Sequence, residues 1–182
     1  MLLLFVSWIA HQVSKLNLIL RLILDFSTTI PPSTTQCPVC PNDWTPSSIG
    51  GKQQCFKYVG KHEIQKAETV CKSLNGFKGK LPLPESQQEN DDLQIAVKAV
   101  QSSKISSFIL GLTDTSTEGD FVKSNGQPPL YTNWKPGEPN NHLGKEDHTL
   151  LMMDDGKWND YFADQKTDVI CQLECSRGKY NK

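Results

Sequence analysis

The chain has 182 residues, enough for one domain of ordinary size plus an appendage. Its net charge of −1 rules out the basic footprint of a nucleic-acid binder, so no nucleic-acid partner is expected. Six cysteines, at 37, 40, 55, 71, 171 and 175, form an even set and point to a disulfide framework in an oxidising compartment. Cys37-x-x-Cys40 is not followed by a second C-x-x-C or by a His pair at ligand spacing, which disfavours zinc.

Residues 2–10 and 16–24 are apolar and are separated by HQVSK. As a transmembrane anchor this segment would carry Lys15 and Arg21, each costing about 2.5–3.5 kcal/mol near mid-bilayer. Residues 1–26 are therefore read as a signal peptide in preference to a single-pass anchor, although a basic n-region and a small-x-small cleavage site are lacking. Residues 27–36 (STTIPPSTTQ) form a Ser/Thr/Pro linker. The domain is expected over 37–176, with 177–182 as a tail. No N-x-S/T sequon occurs.

Trp44 and the Gly50-Gly51 pair suggest a hairpin ahead of Cys55, which Cys40 and Cys55 would staple. Ile64, Ala67, Val70, Cys71 and Leu74 recur at helical spacing, and Asn75-Gly76 ends that helix. Ser86-x-x-Glu89 is a capping box that starts a second helix burying Leu93, Ala96, Val97 and Val100. Phe108–Leu112 has strand length. From Thr113 to His148 periodicity is nearly absent, with four glycines and four prolines interrupting the run. Loops of that length in compact domains are usually functional. Strands at Thr149–Met153 and Asp168–Leu173 close the chain, giving an α+β domain.

The stretch Tyr131–Asp160 is crowded with side-chain oxygens: Glu138, Asn140, Asn141, Glu146, Asp147, Asn159 and Asp160. Mixed carboxylates and amides are what a hard cation such as Ca²⁺ takes. Glu138-Pro139-Asn140, then Glu146-Asp147, then Trp158-Asn159-Asp160 resemble, in order and near-spacing, the calcium and sugar site of the C-type lectin family, in its mannose-type E-P-N version. The resemblance runs from about Cys40 to Cys171. Ile109 stands where the family's central strand usually has Trp.

The resemblance implies two helices on small antiparallel sheets with a long calcium-binding loop. It implies one Ca²⁺ held by Glu138, Asn140, Glu146, Asn159 and Asp160, with a cis bond before Pro139 that turns both flanking side chains to the ion. Vicinal hydroxyls of a sugar would complete the ligand set and hydrogen-bond the same residues, and His142 would pack against the sugar ring. Asp114, Glu118, Asn141, Asp147 and the backbone of Glu146 resemble an auxiliary calcium site, weakened because Asn141 stands where Asp is frequent. Cys71–Cys171 would tie the first helix to the last strand. Cys37 and Cys175 are paired because the family's termini lie close. The family's second disulfide is absent: its positions hold His148 and Ala163, so the long loop is expected to depend more on calcium for its order.

The function so implied is calcium-dependent binding of glycans with vicinal equatorial hydroxyls: mannose, fucose, glucose or N-acetylglucosamine. A secreted or extracellular location goes with it. The alternatives are a protein-binding adhesion or receptor domain of the same fold, and a glycosidase using Glu138 and Glu146. The first is disfavoured because all five ligand types are kept. The second is disfavoured because the flanking residues are better ligands than acid–base partners, so no enzyme is expected. No collagen repeat or heptad run sets an oligomeric state.

Overall fold

Alternation of apolar residues on both faces of the central strands decides the architecture. On the strand Lys166–Ser176 (β7), Val169, Cys171 and Leu173 enter one core and Ile170 enters another. A strand buried on both sides reads as a nearly continuous apolar run, which is how Asp168–Leu173 looks in sequence. The structure, a computed structural model, describes residues 39–74, 76–101, 105–176 and 179–180. All belong to one compact unit spanning 37–182. The signal or anchor segment, the linker and Cys37 lie outside the described residues.

The chain enters as a hairpin. Thr45–Ile49 (β1) pairs with Lys52–Glu63 (β2), turning at Gly50 and Gly51, whose φ values of +56° and +75° suit a two-residue turn. The helix Ile64–Lys72 (α1) follows directly and buries Ile64, Ala67 and Cys71. It stops short of Leu74, which instead pairs with Phe77 in an isolated bridge. The helix Gln87–Val100 (α2) starts at Ser86, whose side chain accepts the Glu89 N–H at 3.2 Å. The Glu89 carboxylate reaches back one residue further than in a capping box, to the N–H of Glu85 at 2.9 Å. Leu93, Ala96 and Val97 face the sheet from α2. One helix therefore packs on each face.

Ser107–Thr113 (β3), Val122–Lys123 (β4), Glu146–Met152 (β5), Trp158–Phe162 (β6) and Lys179–Tyr180 (β8) complete the set. The sheet order is β1-β2-β7-β3-β5-β6, with β4 on β3 and β8 on β7. The expected small antiparallel sheets are joined into one mixed sheet by a parallel pairing of β3 with β7, Phe108 opposite Asp168. Two elements differ from the sequence reading. Trp158–Phe162, given no element there, is a strand paired with β5. Lys179 and Tyr180, read as tail, return onto β7, and Tyr180 is buried in the core.

Cys40–Cys55 staples the first hairpin and Cys71–Cys171 ties α1 to β7, as expected. Cys175 is disulfide-bonded. The expected partner, Cys37, is outside the described residues.

The long loop is not structureless. Lys135 donates to the Trp158 carbonyl and Trp158 to that of Asn133, both at 2.8 Å, so the segment 133–135 lies along β6 in an isolated parallel bridge. Trp158 is fully buried and meets Trp134 and Tyr131 edge-on at 5.8 and 5.6 Å between ring centroids. Phe121 adds a fourth ring against Trp134 at 4.8 Å. This aromatic knot anchors the loop's midpoint.

Candidate functional site

β6 carries the site's floor. Alternation puts Trp158 and Asp160 inward, and both are fully buried. A carboxylate there needs donors, and the loop supplies them: Asp160 Oδ1 accepts the Asn140 N–H at 3.2 Å and Oδ2 accepts that of Asn141 at 2.7 Å. The loop can turn over Asp160 because Asn141, Leu143 and Gly144 take positive φ. The Glu138–Pro139 bond is cis. Asn140 Nδ2 donates to Glu138 Oε2 at 2.5 Å, so the acid and the amide flanking Pro139 stand side by side.

Glu146 opens β5 and is nearly buried, at 4% exposed. Its Oε2 accepts the His142 N–H at 2.7 Å, and its own N–H donates to Asn141 Oδ1 at 3.2 Å. Glu138, Asn140, Glu146 and Asp160 thus meet through one hydrogen-bonded loop. Asn159 Nδ2 donates to the carbonyl of Asp160 at 2.8 Å. The His142 ring lies edge-on to Phe162, 6.2 Å between centroids.

Burial pushes the Glu138 carboxyl above its ordinary range, helped by Asp160 and then Glu146. Burial does the same to Glu146, with Asp160 adding to it and the His142 N–H opposing it. The Glu138 and Glu146 carboxyls, partly buried and close to Asp160, therefore resist carrying their charges.

Asp114, only 2% exposed, accepts the Gly119 N–H on Oδ2 at 2.8 Å, while its Oδ1 is buried without a hydrogen-bond partner. The carbonyl of Asp147 accepts the Asp114 N–H at 3.2 Å and the Thr113 hydroxyl at 2.5 Å. Desolvation, then the charges of Asp114 and Asp147, raise the Glu118 carboxyl. The auxiliary residues Asp114, Glu118 and Asp147 are therefore brought together, whereas Asn141 turns its oxygen to Glu146. Burial pushes the His148 imidazole below its ordinary range, against the charges of Asp147 and Asp114.

All these donors are hard oxygens, and their chemistry fits Ca²⁺. Among the described residues no three His, Cys, Asp or Glu side chains are arranged to hold a metal by themselves. A cation site here has to draw on the amide oxygens of Asn140 and Asn159 as well.

Sequence reasoning missed the residues that hold the floor in place. Trp158 Nε1 donates to Asn90 Oδ1 at 2.9 Å. Asn90 and Asn133 both donate to the Gly156 carbonyl, at 3.0 and 2.9 Å. Lys157 Nζ donates to Asn133 Oδ1 at 2.6 Å. The one available signal was Asn90 itself, a poor helix former in the buried stripe of α2.

Comparison with known proteins agrees with this geometry. The model of the Lectin C-type domain matches residues 60–173. The chain is 37% identical over 141 residues to the low affinity immunoglobulin epsilon Fc receptor of Mus musculus, covering 76% of this chain and 38% of that protein. It is 34% identical over 131 residues to pulmonary surfactant-associated protein D of Sus scrofa, covering 70% and 33%. The chain thus spans well under half the length of these curated relatives. Among solved structures, the cow C-type carbohydrate-recognition domain of CD23, determined in the presence of GlcNAc2Man3 oligosaccharide, superposes with a TM-score of 0.62 at 27% identity, covering 77% of this chain and 99% of that one. No enzyme activity is indicated by these matches. With the two-helix mixed-sheet fold, the paired disulfides and the family match over most of the domain, the chain belongs to the C-type lectin domain family.

Proposed function

We propose that this domain binds mannose-type sugars, meaning mannose, fucose, glucose or N-acetylglucosamine, in a calcium-dependent way. The observation that carries the reading is the Glu138–Asn140 pair, an anionic acceptor and an amide donor 2.5 Å apart, beside Asp160 and Glu146. Glu138, Asn140, Glu146, Asn159 and Asp160 would hold the ion. Ca²⁺, when bound, neutralises the crowded carboxylates and offers open coordination positions to vicinal hydroxyls. The residues do the reading: Glu138 accepts from one hydroxyl in a charge-assisted bond, and Asn140 donates to the next. His142, set edge-on to Phe162, borders the sugar ring. The cow relative determined with an oligosaccharide of N-acetylglucosamine and mannose supports this choice. Asp114, Glu118 and Asp147, with Asn141 and the Glu146 backbone, would form a weaker auxiliary site.

An extracellular, secreted location is proposed with it, supported by the disulfides. Among the described residues no helix is long and apolar enough to cross a membrane.

A second reading, protein binding without sugar, is favoured by one observation: a relative at 37% identity is named as a receptor for an immunoglobulin. A glycan array run with calcium and with EDTA separates the two. Mannose-type signals abolished by EDTA are expected. Binding indifferent to EDTA, or no glycan signal, moves the assignment to a protein ligand.

A further inference from the structure

Two side-chain atoms among the described residues are buried without a hydrogen-bond partner, Asp114 Oδ1 and the Thr149 hydroxyl. The first is an acceptor that lacks a donor, and the second carries a donor hydrogen. Thr149 is fully buried in the middle of β5. A valine has nearly the same shape and would bury there without the cost of an idle hydroxyl. Packing alone gives no reason for an oxygen at this position.

The fold brings the two atoms to one region. Thr149 stands opposite Asp160 in the β5–β6 ladder. Directly opposed residues share a face of the sheet, with Cβ atoms about 4.5–5.5 Å apart. Asp114 arrives on the other flank of β5, at the end of β3. Thr113 pairs with His148, and the Asp114 N–H meets the Asp147 carbonyl at 3.2 Å, two residues from Thr149. Burial raises the Asp114 carboxyl above its ordinary range, and the charges of Asp147 and Asp160 add to this. Asp114 and Asp160 thus feel each other across the strand that carries Thr149.

The donors already present leave one oxygen over. Asp160 accepts the N–H groups of Asn140 and Asn141, and Asp114 Oδ2 accepts that of Gly119. Glu118, whose carboxyl feels the charge of Asp114, is an acceptor when ionised and offers Oδ1 no hydrogen.

We propose that Thr149 is a positioning residue for Asp114, acting through one buried water. The water accepts from the Thr149 hydroxyl and donates to Asp114 Oδ1, and its second hydrogen goes to the Asp160 carboxylate. Buried waters typically make about three such bonds to groups otherwise unmet. The link ties the Asp114 acids to the floor of the principal site. It belongs to the ion-free protein. Only its consequence, an Asp114 already oriented as a ligand, rests on the calcium reading above.

The test begins with the full chain in EDTA. Transfer of NMR magnetisation from a long-lived water to the Thr149 methyl is expected, and its loss in Thr149→Val. That near-isosteric variant should shift the folding equilibrium about tenfold towards the unfolded state. In a cycle with Asp114→Ala, the effect should shrink once Asp114 is removed. If Asp114→Ala does not fold, the water signal and Thr149→Val decide. Calcium titration then reads the consequence. Thr149→Val should weaken binding about tenfold, and Thr149→Ser, which keeps the hydroxyl, should bind nearly as the unaltered protein does. A Thr149→Val protein at least as stable as the unaltered one overturns the proposal. So do additive effects in the cycle, absence of the water, or undiminished calcium affinity in Thr149→Val. An unaltered protein that binds no calcium defeats the calcium reading instead, and the EDTA measurements still decide the link.

Discussion

The carboxylate of Asp160 accepts the backbone N–H of Asn141 at 2.7 Å, across 19 residues of chain. The fully buried floor of the candidate site is thus also the post to which the loop tip is tied. Ion binding and loop order should be coupled through this one side chain. Calcium should raise the melting temperature progressively, as mass action requires, with a dissociation constant of about 10⁻⁴–10⁻³ M. Asp160→Asn should lower calcium affinity by about an order of magnitude or more while leaving an acceptor for the loop. Isothermal titration and thermal melts check both, and identical melts with and without calcium would sink the assignment of an occupied site.

The pH dependence should reverse sign with the ion. Glu138 and Glu146 have folded pKa values raised above their ordinary ones, and burial raises Asp114 likewise. Between the ordinary and the raised values the folded state binds more protons than the unfolded one, so stability falls as pH rises through that window. In EDTA these carboxyls should therefore favour the fold at mildly acid pH over neutral pH. With saturating calcium the charged forms would be the ligands, and mild acid should destabilise. Melting curves across that window, with and without calcium, should give slopes of opposite sign; parallel slopes would show that these carboxylates do not bind the ion.

Exchange of acid and amide should change what is read. The resemblance places Gln-Pro-Asp, in place of Glu-Pro-Asn, in galactose-type relatives. Glu138→Gln with Asn140→Asp keeps the net ligand charge and reverses the donor–acceptor order of the pair. Calcium should still bind. Mannose-type affinity should drop, since an unmatched polar group costs about 1–3 kcal/mol. Calcium titration with mannose and galactose competition on both proteins is the measurement. Unchanged mannose binding by the double variant would remove Glu138 and Asn140 as the reading pair.

Asn90 should prove to be a positioning residue for the site. It is fully buried and accepts the Trp158 indole N–H at 2.9 Å. Asn90→Ala leaves that donor without a partner inside the core and removes one of the two donors to the Gly156 carbonyl. The expected cost is about 1–3 kcal/mol in denaturant unfolding. Calcium affinity should fall too, because Trp158 directs β6 and so Asn159 and Asp160. Wild-type calcium affinity in a folded Asn90→Ala protein would confine this residue to stability.

The two described disulfide pairs should differ in worth. Cys71–Cys171 closes a separation of 100 residues and Cys40–Cys55 one of 15. Loop-closure entropy makes removal of the longer crosslink, Cys71→Ala with Cys171→Ala, the costlier by about 1–2 kcal/mol. Chemical unfolding of the two double variants under oxidising conditions measures the difference, and an equal or reversed order would show that native-state effects outweigh chain entropy.

Local chemistry was legible in the chain. Ser86 and Glu89 mark the start of α2 because capping acts over a few residues, and Gly50-Gly51 marks the first hairpin because its turn needs positive φ. The acids and amides of Glu138–Asn140, Glu146 and Asn159–Asp160 stand out in order because their side-chain oxygens are the kind a hard cation takes. Only the tertiary structure decided what those residues touch. Trp158–Phe162 pairs as a strand because β5 and the segment 133–135 lie on either side of it, and its own few residues carry ligand chemistry more visibly than alternation. Asn90 meets Trp158 across 68 residues, and Gln54 meets Gln172 across 118. No local pattern encodes such meetings: a buried polar group is satisfied by whichever partner the folded sheet and helices bring to it, and that is a property of the packing.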